Sequence, residues 1–166
     1  TNCAAGQMSA EAGATRCSAC ETGQYSAAGA SACIECPAGR SSADPGTECQ
    51  PCDAGKHQAS AAQTSCTACD SGQYAPTAAT SCIDCTEGTF DDDSQASTPC
   101  KNCEAGQYTG VSGAFATCDS CTPGQYAAEA SAACANCEAG TVDEDGDAAT
   151  ACTTCADYDG DATDVQ

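Results

Sequence analysis

The chain has 166 residues, and 24 Asp and Glu against 4 Lys and Arg leave a formal net charge of −20 at pH 7. That balance excludes nucleic acid and anionic membrane as partners, since both reward clustered Lys and Arg. There is no Leu or Trp, and the branched or phenyl apolar bulk is confined to Ile34, Ile83, Val111, Val142, Val165, Phe90 and Phe115, which excludes a conventional hydrophobic core.

The hydrophobic content of 41% is mostly Ala and Cys. Burying an alanine methyl gains little against about 1–2 kcal/mol of backbone entropy per ordered residue, so without cross-links such a chain stays disordered. Cysteine, at 19 residues, supplies the cross-links. That share marks a disulfide scaffold made in an oxidising compartment, and the expected location is extracellular or cell surface. No signal peptide or membrane span is visible, so the sequence reads as a mature segment of a longer chain, without direct membrane insertion.

From the N-terminus, Cys3 stands alone and nine CxxC pairs follow: Cys17/Cys20, Cys33/Cys36, Cys49/Cys52, Cys66/Cys69, Cys82/Cys85, Cys100/Cys103, Cys118/Cys121, Cys134/Cys137 and Cys152/Cys155. They recur at a short and nearly constant step, the mark of a tandem array in which each unit packs mainly on its neighbours. Cys3 is followed by Ala4, Ala5, Gly6, Gln7 and Met8, the text that follows the second cysteine of a pair elsewhere, so it reads as half of a truncated pair. If each second cysteine bridges to the first of the next pair, the bonds are Cys3 to Cys17, Cys20 to Cys33, Cys36 to Cys49, Cys52 to Cys66, Cys69 to Cys82, Cys85 to Cys100, Cys103 to Cys118, Cys121 to Cys134 and Cys137 to Cys152. Spacing does not by itself determine connectivity, and bonds within CxxC pairs remain an alternative. Each bridge closing a loop of about 15 residues contributes on the order of 3 kcal/mol in the chain-entropy model. The scheme leaves Cys155 unpaired or intermolecular.

After each second cysteine of the first eight pairs, a glycine stands at the third place. Two places beyond the glycine lies a column made of Met8, Tyr25, Ser41, His57, Tyr74, Phe90, Tyr108, Tyr126 and Val142. The glycine permits positive φ or close approach, and the ring can lie over a disulfide, so this column is read as the core. The remainder of each unit is a loop rich in Ala, Ser, Thr and Gly. The expected fold is a small disulfide-rich, mostly irregular β protein, an elongated rod of tandem short β-hairpins of roughly 16–18 residues each. The rod covers 1–155, with 156–166 as an acidic tail or the start of a further repeat.

Other chemistries fit less well. The spacing between consecutive CxxC pairs suits a four-cysteine zinc site, but the continuous period shows no grouping of pairs in twos, so zinc is the second reading. Redox catalysis needs one tuned thiolate rather than nine equivalent pairs. The only histidine, His57, sits in the core column, which disfavours a catalytic dyad, and the chain is read as no enzyme with no required cofactor. Two acidic stretches, Asp143, Asp145, Asp147 and Asp157, Asp159, Asp161, both read DxDGD and resemble the start of a calcium loop. Ala148 or Ala162 stands where that loop needs glycine, and Thr154 where it needs glutamate, so the segments are candidates for weak calcium binding alone. Asp91, Asp92 and Asp93 are read as a solvated turn. Ser and Thr together number 34 and no Asn-x-Ser/Thr acceptor exists, which makes this a candidate O-linked glycoprotein.

CxxC followed by xxGx(Tyr/Phe) and, after a short loop, the first cysteine of the next pair resembles the cysteine-rich repeats of ephrin receptors and of tumour necrosis factor receptors, over residues 3 to 155. Similar runs occur in surface proteins of protists and algae, including coat antigens and flagellar-hair proteins. The resemblance implies an extracellular scaffold. The function expected is a structural protein that builds a surface fibre, filament or coat by associating with itself, head-to-tail or laterally. The alternative is a ligand-binding or adhesive ectodomain that meets other surface proteins or glycans, through the loops after Cys85, Cys103 and Cys137.

Overall fold

A computed structural model describes residues 2–11, 16–114 and 117–155. Among these there is no helix, and the regular structure consists of nine antiparallel hairpins of two-residue strands. The chain divides into two compact units, Thr1–Asp84 with Gln95–Pro99, and Cys85–Ser94 with Cys100–Gln166. The first unit holds hairpins 1 to 5: Gln7–Met8 with Ser18–Ala19, Gln24–Tyr25 with Ile34–Glu35, Arg40–Ser41 with Gln50–Pro51, Lys56–His57 with Thr67–Ala68, and Gln73–Tyr74 with Ile83–Asp84. The second holds hairpins 6 to 9: Thr89–Phe90 with Lys101–Asn102, Gln107–Tyr108 with Asp119–Ser120, Gln125–Tyr126 with Ala135–Asn136, and Thr141–Val142 with Thr153–Thr154.

The CxxC spacing has a direct structural meaning. The two residues between the cysteines are the return strand of a hairpin, and the two after the glycine are its outgoing strand, as in Gln24↔Glu35 and Tyr25↔Ile34. The second cysteine's amide closes the ladder by donating to the glycine carbonyl, as Cys36 does to Gly23 at 2.9 Å. Before the outgoing strand the chain reverses in a four-residue turn, closed in hairpin 2 by the Gln24 amide on the Glu21 carbonyl at 3.1 Å. Its third place needs positive φ, and Gly23 there has φ 80°. A two-stranded hairpin of this length has no independent stability in water, so the bridges and the neighbouring hairpins must supply it.

Neighbours are joined mainly through the backbone. In unit 1 the Gly6 amide donates to the Ser26 carbonyl at 2.9 Å, and the Ser26 amide donates to the Pro45 carbonyl at 3.1 Å. The same relay runs from Gly23 through Ser42 to Gln63, from Gly39 through Gln58 to Ala79, and from Gly55 through Ala75 to Ala96. In unit 2 it runs from Gly88 through Thr109 to Ser131 and from Gly106 through Ala127 to Ala148. Each relay enters through a glycine, passes the residue three places beyond the next hairpin's glycine, and ends in the loop after that. The array is thus coupled to second neighbours, which goes beyond the packing on immediate neighbours expected from the period.

Burial follows the relay. Cys3, Cys20, Cys36, Cys49, Cys52, Cys85 and Cys103 are buried, and so are Ser26, Ser42, Ala75, Asp91, Thr109 and Ala127, which lie three places beyond a glycine. The aromatic column read as the core is half-buried instead, Tyr25, Tyr74, Phe90, Tyr108 and Tyr126 among it. The interior therefore sits one position further along the chain. Where a peptide group bonds on both sides to neighbouring backbones its residue is enclosed by them, and small residues stand at most of these places; Gln58, which is half-buried, is the long side chain among them. Asp91 is also corrected, from a solvated turn to a buried residue 7% exposed, whose amide donates to the Ala114 carbonyl at 2.9 Å.

Candidate functional site

The described residues carry nine disulfides: Cys3–Cys17, Cys20–Cys33, Cys36–Cys49, Cys52–Cys66, Cys69–Cys82, Cys85–Cys100, Cys103–Cys118, Cys121–Cys134 and Cys137–Cys152. Their Cα–Cα distances are 5.5 to 5.7 Å, in the usual range for a cystine. In hairpins 1 to 8 the cysteines on either side of the xx strand belong to different bridges, so each of these hairpins ties one bridge to the next; in hairpin 9 the second cysteine is Cys155, which is in no bridge. Cys155 is an exposed free thiol. Its amide donates to the Gly140 carbonyl at 2.8 Å, the bond that Cys20, Cys36, Cys52, Cys69, Cys103, Cys121 and Cys137 make in their hairpins.

Two members of the half-buried column show what that column touches. The Ser41 hydroxyl lies 3.5 Å from Cys66 Sγ, and His57 Nδ1 lies 3.1 Å from Cys82 Sγ and 4.0 Å from Cys69 Sγ. In both cases the side chain of one hairpin caps the disulfide of the next. Among the described residues, His57, Cys69 and Cys82 are also the one grouping of three side chains that could hold a metal ion. Two of the three are joined to each other in a disulfide. Neither sulfur is a thiolate, which is the form that binds metal.

The first acidic stretch is an organised loop. Asp145 Oδ1 accepts from the Asp147 amide at 2.9 Å, and both Asp145 carboxylate oxygens accept from the Thr150 hydroxyl at 3.0 and 3.1 Å. Asp147 Oδ1 accepts from the Ala149 amide at 3.0 Å. These bonds, the Asp147 amide first among them, hold the Asp145 carboxyl below its usual value of 3.8 although the group is exposed. The carboxylates that the DxDGD pattern offers to a cation thus also serve as acceptors for their own loop. Asp157, Asp159 and Asp161 lie outside the described residues.

Residues the sequence reading passed over emerge on the surface. Ile34, Ile83 and Val111 are exposed, at 54%, 42% and 63%. Tyr25 pairs with Ile34 and Tyr74 with Ile83 across their hairpins, so each isoleucine extends a tyrosine into a small apolar patch. The signal for them was composition: they are the only two isoleucines in the chain, both first within a CxxC.

These tandem, singly bridged hairpins can be set beside known proteins. Residues 6–48 match the family model described as tyrosine-protein kinase ephrin type A/B receptor-like. That stretch is similar to an ephrin-receptor-like repeat. It spans most of the first three disulfide units, and the other six repeat the same bridge and hairpin. No curated protein matches the chain. The ephrin-receptor-like repeat is a non-catalytic ectodomain type, and together with the dense disulfides it marks an extracellular or surface domain. No helix among the described residues is long and apolar enough to cross a membrane.

Proposed function

We propose that the protein is an extracellular structural element, a disulfide-stapled array that builds a surface fibre, filament or coat by association with copies of itself. The observation that carries this reading is the backbone relay, in which glycine amides and loop carbonyls couple hairpins 1 to 4, 6 and 7 each to the two that follow. Main-chain coupling of this kind tolerates changes in exposed side chains while keeping the units in register, as a mechanical scaffold requires. Calcium is proposed as an accessory that screens acidic surfaces brought together, through Asp143, Asp145, Asp147 and their counterparts Asp157, Asp159 and Asp161.

The second reading, a ligand-binding or adhesive ectodomain, is favoured by the receptor-like match over residues 6–48. Electron microscopy of the purified native protein, in calcium and in chelator, separates the two. Regular filaments are the expected result, and their loss on chelation would give the acidic loops a part in assembly. Dispersed particles in both conditions would overturn the structural reading in favour of the receptor-like one.

A further inference from the structure

His57 is the only histidine in the chain, and the fold sets it against one bridge. Its Nδ1 lies 3.1 Å from Cys82 Sγ and 4.0 Å from Cys69 Sγ, all three residues belonging to unit 1. That bridge also differs from its neighbours in burial. In six of the seven bridges from Cys3–Cys17 to Cys103–Cys118 at least one cysteine is buried, whereas Cys69 and Cys82 are both half-buried. Cys69–Cys82 is therefore more open to a thiol in solvent than those six. Backbone bonds that do not depend on the bridge hold the three residues together. The Cys69 amide donates to the Gly55 carbonyl at 2.9 Å in hairpin 4, whose own bridge is Cys52–Cys66. The Gln58 amide donates to the Ala79 carbonyl at 3.1 Å, which keeps the loop before Cys82 beside His57.

From this we infer that His57, Cys69 and Cys82 form a redox-gated zinc site, closed while the bridge is intact and opened by a monothiol such as glutathione. This goes beyond the structural reading and does not rest on it. Two monothiols reduce the bridge: the thiolate of the first attacks one sulfur, the electron pair of the S–S bond leaves on the other, and the second monothiol frees the attacked sulfur by forming the monothiol's own disulfide. The two protons that the monothiols carried end on Cys69 and Cys82. Zinc then binds both sulfurs as thiolates, releasing those protons to solvent, and takes the Nδ1 lone pair of neutral His57. Two thiolates and an imidazole suit zinc, with the fourth position left to water. A tetrahedral zinc ion with bonds of about 2.0–2.3 Å holds its ligand atoms roughly 3.5–3.8 Å apart. The two Nδ1–Sγ distances already bracket that span, so only the sulfurs need to part, between Cα atoms 5.7 Å apart. The metal thus restores the loop closure that reduction removes.

The test holds the native oxidised protein in a glutathione redox buffer, with and without zinc, and maps the alkylated thiols after an acid quench. It compares the wild type with His57→Ser, because hairpin 3 carries serine at the same place, Ser41. One free thiol before reduction confirms that the nine bridges have formed in both proteins. Zinc binds only the reduced form, so the expected result is a reduced fraction at Cys69 and Cys82 that rises about tenfold or more with zinc in the wild type and less than about twofold in His57→Ser, the other bridges being unmoved. Cobalt in place of zinc reads the ligands directly: the reduced wild type is expected to show a sulfur-to-cobalt charge-transfer band, which surface carboxylates do not give. An equal zinc response in the two proteins overturns the site by removing His57 from it. A zinc response at another bridge, none at any bridge, or no charge-transfer band overturns it as well.

Discussion

Gly23 and Gly124 have nearly the same backbone, φ 80° and 78°, and different surroundings. A Cβ on Gly23 would overlap the Ala62 carbonyl of the loop two hairpins on, whereas a Cβ on Gly124 would meet nothing within 4 Å. Alanine at either place incurs the left-handed penalty of roughly 1–2 kcal/mol. At Gly23 it must also displace backbone that carries a relay, because the neighbouring Gln63 carbonyl accepts the Ser42 amide. Gly23→Ala is therefore expected to lower the thermal unfolding midpoint clearly more than Gly124→Ala, and equal shifts would show that torsion alone explains the glycine column. Ala62, Ala78 and Ala130, whose carbonyls meet Gly23, Gly39 and Gly88, themselves have φ of 57°, 61° and 59°. The loops thus adopt an unfavourable torsion at the points where they touch.

At the scale of the hairpin, the bridge and the loop turn do separate work. Replacing Cys52 and Cys66 together by serine removes one bridge and should cost about 3 kcal/mol in the chain-entropy model. Because Gly39, Gln58 and Ala79 lie on one relay, limited proteolysis is expected to open hairpins 3 and 5 as well as hairpin 4, while cleavage confined to 52–66 would contradict second-neighbour coupling. The loop around Asp145 responds to acid. Its carboxyl is held below 3.8 by bonds that favour the ionised form, so their contribution is complete above that value and is lost as pH falls through the lowered folded pKa. Protection of the Asp147 and Thr150 amides from exchange, taken relative to the intrinsic rate at each pH, should be lost only below the ordinary carboxylate range. Loss of that protection near neutral pH would contradict this account.

For the molecule as a whole, cystine takes the place of a hydrophobic core. The buried apolar side chains among the described residues are seven cysteines and three alanines, Ala75, Ala114 and Ala127. Nothing in that set can hold the chain once the bonds are cut. Full reduction in native buffer, without denaturant, is expected to give a disordered circular-dichroism spectrum, helped by the repulsion of 24 acidic groups. A folded spectrum after reduction would show that the backbone relays suffice without the bridges.

The nine-unit period, the hairpin class and the dependence on disulfides were legible because CxxC spacing and glycine register are local properties, each readable within a single repeat. Ile34 and Ile83 were visible in composition as part of the scarce apolar bulk, but their exposure was not read from it. What the linear text could not decide was which column is buried. The residue two places past each glycine carries the aromatic ring and looks like a core residue, yet Ser26, Ser42 and Thr109, one place further, are more deeply buried. Their burial is set by the Pro45, Gln63 and Ser131 carbonyls, which reach their amides from the loop of the next hairpin. Asp91 was misread for the same reason, since its three-residue acidic run resembles a solvated turn until Ala114 reaches it. Local chemistry thus determined the unit and its staple, while contacts between the backbones of successive hairpins decided the interior, because peptide groups are common to every residue and leave no mark in composition.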